Sequence, residues 1–165
     1  MNGPTAEELA QLLDRHAAAL ELYAAQWTQA PADVVQEAFL ELIRQPTRPE
    51  RVVPWLYRVV RNRAINAHRS AVRRRQHETM AARDSECCFE TNMDSELDAQ
   101  DVAVALGQLP DEQREVIVAR IWSGLTYQEI AELVGVTTST VHRRFAAGLA
   151  LLRERLSISW TSKNP

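Results

Sequence analysis

Apolar residues recur every three to four positions through most of the chain, the spacing of helices with one buried face, and no stretch alternates as a strand would. Thr5-Ala6-Glu7-Glu8 reads as a capping box that opens a first helix running to about Trp27, with Leu9, Leu12, Leu13, Leu20 and Tyr23 on its apolar face. Pro31 interrupts the pattern. A second helix is expected from about Asp33 to Arg44, with Val34, Val35, Ala38, Phe39 and Leu42 apolar. Gln45-Pro46-Thr47-Arg48-Pro49 is a loop, and a third helix starts near Pro54 and runs to about Arg75. From about residue 77 to 96 the periodicity stops. It resumes near Leu97 and lasts to about Leu156, leaving residues 157–165 as a tail expected to fray, with Trp160 as a residue to dock it.

The second periodic block holds a more specific arrangement. Leu109-Pro110-Asp111-Glu112 starts a helix with proline in its first turn and acids at its positive end; Val116, Ile117 and Ile121 are expected on its inner side. Ser123-Gly124-Leu125 ends it. Thr126-Tyr127-Gln128-Glu129 is a second capping box, opening a short helix to about Val134. Gly135 supplies the turn, and Thr137 caps a last helix from about Thr138. Two helices joined by a short glycine turn match a DNA-binding helix-turn-helix. At roughly 100° per residue, Val141, Phe145, Leu149, Leu152 and Leu156 fall on one stripe of the last helix. Arg143 lies nearly opposite, beside Ser139 and Thr140, with His142 and Arg144 on the flanks. Hydroxyls and guanidinium groups at the start of an exposed helix suit base edges and phosphates in a major groove. Ala146, Ala147 and Gly148 are small enough to admit another backbone.

Charge adds a second signal. The net charge of −3, from 19 Lys and Arg against 22 Asp and Glu, points to no partner by itself. Its distribution is uneven: eight arginines and no acid lie between Arg51 and His77, then eight acids and one base between Glu78 and Asp101. Within the basic block, Leu56, Val59, Val60 and Ala67 cluster on one side of the helical wheel. Trp55, Arg58, Asn62, Asn66 and Arg69 form a separate stripe. An aromatic ring, two amides and two guanidinium groups are the chemistry of single-stranded nucleic acid: stacking, base-edge hydrogen bonds and phosphate contacts. Arg73, Arg74 and Arg75 extend the positive field toward duplex phosphates. The competing assignment makes Trp55 and Tyr57 core aromatics. Arg63 falls on the inward side and has to snorkel.

Cys87 and Cys88 are adjacent and lack metal-site or disulfide spacing, and the chain shows no signal-peptide pattern and no run of the roughly 18 apolar residues a membrane span needs. A cytoplasmic protein with neither cofactor nor metal nor membrane insertion is expected. His16, His68, His77 and His142 show no triad or metal spacing, which argues against an enzyme. An ordinary helix-turn-helix regulator with an N-terminal dimerisation domain is the main alternative, but a dimerisation helix needs no stripe of arginine and asparagine.

Several motifs resemble the extracytoplasmic-function (ECF) sigma factors of bacteria. Asp33-Val34-Val35-Gln36-Glu37-Ala38-Phe39-Leu40 is similar to the family's D-x-V-Q-E-x-F helix of conserved region 2. Trp55-Leu56-Tyr57-Arg58-Val59-Val60-Arg61-Asn62 is similar to its W-L-Y-R-I-A-R-N, and Leu125-Thr126-Tyr127-Gln128-Glu129-Ile130-Ala131 to the L-S-Y-x-E-I-A of region 4. The resemblance implies an all-α protein of two small helical domains: region 2 over residues 1–76 and a region 4 helix-turn-helix over 97–156, joined by a flexible acidic linker at 77–96. It implies a factor that binds core RNA polymerase and directs promoter recognition, local melting and initiation. Asp33, Gln36, Glu37 and Leu40 would dock on the β′ clamp coiled coil, and region 4 would touch the β flap. Trp55, Arg58, Arg61, Asn62, Asn66, Arg69, Arg73 and Arg74 would take the −10 element, while Ser139, Thr140, His142, Arg143 and Arg144 would meet the −35 element. An anti-sigma factor is a usual partner in the family. The chain departs from the pattern at Asn66, where Asp is usual, at Arg143, where many members have Ser, and near Gly148, where family arginines are missing.

Overall fold

The computed structural model describes residues 4–78 and 96–163, with side chains at 4–76 and 101–156. Residues 79–95 of the expected acidic linker, with Cys87 and Cys88, and the side chain of Trp160 lie outside these, while residues 77, 78 and 96 of that segment belong to helices. Among the described residues the chain forms seven α-helices and no strand, in two compact units, Met1–Cys87 and Cys88–Pro165.

The first unit packs α1 (Ala6–Ala24), α2 (Pro31–Arg44) and α3 (Val52–Glu78) against one another. Thr5 and Glu8 form the capping box at the start of α1: the Thr5 hydroxyl accepts from the Glu8 N–H at 3.2 Å, and the Glu8 carboxylate accepts from the Thr5 N–H at 2.9 Å. Pro31 does not break α2 but begins it, since a first helical residue needs neither an N–H partner nor free φ. α3 starts two residues before Pro54 and continues three residues past Arg75. Together the three helices bury Leu20, Tyr23, Val35, Ala38, Phe39, Leu42, Leu56, Tyr57, Val60 and Ala64. The Tyr23 ring meets Tyr57 and Trp27 edge to face, at centroid distances of 5.3 and 5.2 Å. Leu13, expected inside, is 38% exposed. It shares a face with Leu20, but burial in α1 is confined to Leu20, Tyr23 and Ala24, where the partner helices reach.

The second unit contains α4 (Glu96–Gly107), α5 (Asp111–Ile121), α6 (Tyr127–Val134) and α7 (Thr138–Lys163). Ala105, Leu106, Leu109, Ile117 and Leu152 form its core, with Val102, Phe145, Leu151 and Leu156 packed around them. Ile121 is 49% exposed rather than inward, because it closes the last turn of α5; Val116, Ile117, Val118 and Ala119 are buried instead. Buried Arg114 fixes the α4–α5 turn by donating to Asp111 Oδ1 at 2.7 Å and to the carbonyls of Gly107 and Leu109. The backbone of α7 stays helical to Lys163, so the tail expected to fray after Leu156 continues the helix.

Candidate nucleic-acid interface

Local chemistry builds the helix-turn-helix. Thr126 and Glu129 close a reciprocal capping box on α6, with hydrogen bonds of 3.2 Å from the Glu129 N–H and 2.8 Å from the Thr126 N–H. Gly135 ends α6 at φ +75°, a left-handed conformation that a side chain disfavours. Two residues later the Thr137 hydroxyl accepts from the Thr140 N–H at 3.2 Å and starts α7. The turn is therefore specified by one glycine between two threonine caps.

The first turns of α7 present Ser139, His142 and Arg143 to solvent, and Val141 is fully buried. Two expected contacts are committed elsewhere. The Thr140 hydroxyl lies 2.9 Å from that of Thr137, inside the cap. Arg144 donates to Glu112 of α5 at 2.7 Å and its side chain is only 21% exposed, because one step of roughly 100° from Arg143 turns it toward α5. Of the three small residues expected to admit a neighbour, only Gly148 is buried; Ala146 and Ala147 face solvent. A Cβ at Gly148 would lie 2.8 Å from Ile117 Cδ1 and 3.1 Å from Gln113 Cβ, so glycine sets the closest approach of α5 and α7.

A ring stack at the start of α7 was not expected from the sequence. The His142 imidazole lies on the Tyr127 ring at a centroid distance of 3.8 Å, tilted by 35°, and Phe145 meets the same ring edge to face at 5.7 Å. The Arg120 guanidinium sits 4.9 Å from the Tyr127 centroid and donates to the Leu125 carbonyl at 2.9 Å. Three helices thus contribute to the orientation of one exposed histidine.

In the first unit, α3 carries the other stripe. Trp55 is half-buried, and Arg58, Asn62, Asn66 and Arg69 are exposed along one side. Arg73, Arg74 and Arg75 continue as an exposed cationic end, and Arg61 is half-buried and engaged. Tyr57 belongs to the core, whereas Trp55 stays at the edge of the stripe. Arg63, the inward arginine, does not simply snorkel. It donates through Nη2 and Nε to Glu41 of α2, at 2.7 and 3.2 Å, and lies 3.7 Å from Glu37. Asp33, Gln36 and Glu37 are exposed on α2 with Leu40 half-buried beside them, so Glu37 touches both that face and α3. Of the histidines, His16 lies on α1, where burial, and secondarily Arg15, hold its imidazole below the usual range. His68 and His77 both lie on α3. Among the described residues no group of three or more His, Cys, Asp or Glu is placed to hold a metal ion.

Two family models match this chain: Sigma-70 region 2 over residues 5–74 and Sigma-70 region 4 over residues 99–152. The ECF RNA polymerase sigma factor SigL of Mycobacterium tuberculosis is 34% identical over 93% of both chains. The chain belongs to the ECF sigma factors. As such a factor it directs promoter-specific initiation of transcription by RNA polymerase. The sigma factor CarQ of Myxococcus xanthus is 30% identical over 88% of this chain and 87% of its own. The fold matches the sigma factor RpoE of Bartonella quintana, solved with the anti-sigma factor NepR, at a TM-score of 0.70 and 22% identity over 92% of this chain and 98% of that one. It also matches CnrH in complex with the cytosolic domain of CnrY, at a TM-score of 0.61 and 26% identity over 93% and 90%. In this sigma factor the helix-turn-helix therefore lies within the region 4 match, and the tryptophan-arginine-asparagine stripe within region 2. No helix among the described residues is long and apolar enough to cross a membrane.

Proposed function

We propose that the stripe on α3 captures the opened −10 element while the exposed start of α7 reads the −35 element. The observation that carries this reading is the outward display of both sets, Arg58, Asn62, Asn66 and Arg69 in one unit and Ser139, His142 and Arg143 in the other. Trp55 offers a stacking edge, and Asn62 and Asn66 offer amides that pair with unstacked bases. Arg61, Arg69, Arg73 and Arg74 supply phosphate contacts, which set register without carrying sequence. On α7, Arg143 is the base-edge reader, with Ser139 and His142 beside it. Thr140 acts through the helix cap, and Arg144 through its tie to α5.

Core polymerase docks through its β′ clamp coiled coil on the α2 face of Asp33, Gln36, Glu37 and Leu40, and through its β flap on the second unit. The factor is non-catalytic and works in the cytoplasm. Because one chain carries both sets, two modest DNA sites act together through effective concentration. CnrH, which shares 26% identity, is held by the cytosolic domain of CnrY, and an anti-sigma partner is proposed for this chain as well.

The test is reconstitution. Purified chain with core polymerase yields promoter-specific transcripts from a genomic template library, and their complete absence sinks the reading. Asn62→Ala impairs strand opening, followed by permanganate reactivity, and leaves −35 binding intact. Arg143→Ala loses about 1–3 kcal/mol of discrimination between −35 sequences if it reads a base, and loses affinity evenly if it meets only phosphate.

A further inference from the structure

α7 carries two neighbouring arginines with opposite fates. Arg143 is exposed, while Arg144 gives its Nη2 to Glu112 Oε2 at 2.7 Å and keeps 21% of its side chain accessible. The backbone fixes this pairing. Gly148 lies one helical turn beyond Arg144, and there α5 comes so close that a Cβ would sit 3.1 Å from Gln113 Cβ, on the residue following Glu112. Glu112 itself stands in the first turn of α5, where the helix dipole favours a carboxylate. The N–H groups of the next two residues, Gln113 and Arg114, both donate to the Pro110 carbonyl at 2.9 Å and hold that turn in place.

A guanidinium bound to a carboxylate presents little net charge to a polyanion. Each arginine that neutralises a phosphate releases counterions and strengthens binding to any duplex, whatever its sequence. Removing one such arginine from the contact set therefore lowers affinity for all duplexes alike. Groups that read base edges then supply a larger share of what remains. The side chain that does the removing, Glu112, is 68% exposed and belongs to no DNA-facing motif.

We propose that Glu112 is a specificity-determining residue: it holds Arg144 off the DNA backbone and so suppresses sequence-independent binding by the recognition helix. The inference rests on α7 being that helix, and the test separates the two ideas.

The experiment follows binding of the full chain to a mixed-sequence duplex of about 30 base pairs by fluorescence anisotropy, as salt rises from about 50 to 200 mM. Glu112→Gln raises affinity on the order of tenfold near 0.1 M salt and steepens the slope of log K against log salt by about 0.9, the increment of one released phosphate contact. Glu112→Asp keeps the charge but shortens the reach to Arg144, and it behaves like Glu112→Gln. Were Glu112 acting by direct repulsion of phosphate, Glu112→Asp would instead behave like the unaltered chain, and the proposal would fall. Arg144→Gln added to Glu112→Gln abolishes the gain; a gain that persists in the double variant also overturns it. Both single variants change an exposed first-turn residue, so they decide the question even if Arg144→Gln fails to fold. Arg143→Gln reports on the underlying reading. If it weakens binding while Glu112→Gln changes nothing, only the role of Glu112 is refuted. If none of the chains, altered or not, shows salt-dependent binding, both ideas are refuted.

Discussion

α3 and α7 are nearly equal in length, 27 and 26 residues, and each carries the exposed side chains proposed to meet DNA in its unit, yet they are held in place differently. α3 is anchored from within. Leu56, Tyr57, Val60 and Ala64 are buried, the Tyr57 ring sits against Tyr23, and Arg63 reaches back to Glu41. Its later turns from Val72 to Gln76 are exposed, so the cationic end projects from an anchored base. α7 is also anchored by burial, through Val141 and Leu152, but its start is set in addition by local devices: the caps at Thr126 and Thr137, the left-handed Gly135, and the close crossing at Gly148. A melted-base reader can be a stripe along one rigid helix, because single strands adapt to it. A duplex reader must enter a groove of fixed width, so its angle and depth matter. Devices that set backbone geometry, in addition to burial, accordingly concentrate around the start of α7.

The sharpest way to break this contrast is Tyr57→Ala. Truncating a fully buried aromatic ring removes its burial and leaves a cavity, at a cost of about 3–5 kcal/mol. Calorimetry is expected to show a large loss in the transition of the first unit with the second unaffected; a shift in both would mean that the units are not independently anchored. Gly148→Val attacks the other side. Its branched side chain has to displace Ile117 and Gln113, and the expected cost is about 1–3 kcal/mol. The second unit then melts about 4–8 °C lower per kcal/mol, and −35 binding weakens before −10 capture does.

Thr126→Ala removes one half of a capping box and is expected to cost about 1 kcal/mol. Hydrogen exchange would locate the loss in α6 and the turn, whereas Thr5→Ala, the equivalent change in the first unit, would loosen α1 alone. The smallest effect is in acid. Arg48, donating to Glu8 at 2.9 Å, together with the Thr5 backbone N–H, holds the Glu8 carboxyl below its ordinary value of 4.5. With the folded value depressed, the stabilising contribution is complete above 4.5 and fades as pH falls through the lowered value. An NMR titration of Glu8 checks this, and Arg48→Ala should return the midpoint toward 4.5.

Much of this was legible in the chain because it is encoded over three or four neighbouring residues. Both capping boxes, the glycine turn, the core stripe of α7 and the outward stripe of α3 follow from spacing alone, since hydrogen bonds to adjacent N–H groups and a helical period need no knowledge of a partner. Leu13 and Ile121 were misplaced for the complementary reason: periodicity tells which face of a helix is apolar, but not where the neighbouring helix stops.

The sequence by itself determined helices, their caps, the turn and which polar residues share an outward face. Only the tertiary structure decided how those residues are used. It turned Arg144 to Glu112, Arg63 to Glu41, and His142 onto Tyr127 with Arg120 behind it. Most of these pairings join residues far apart in the chain, and a guanidinium or an imidazole is held by whichever carboxylate or ring the packing of helices brings within reach.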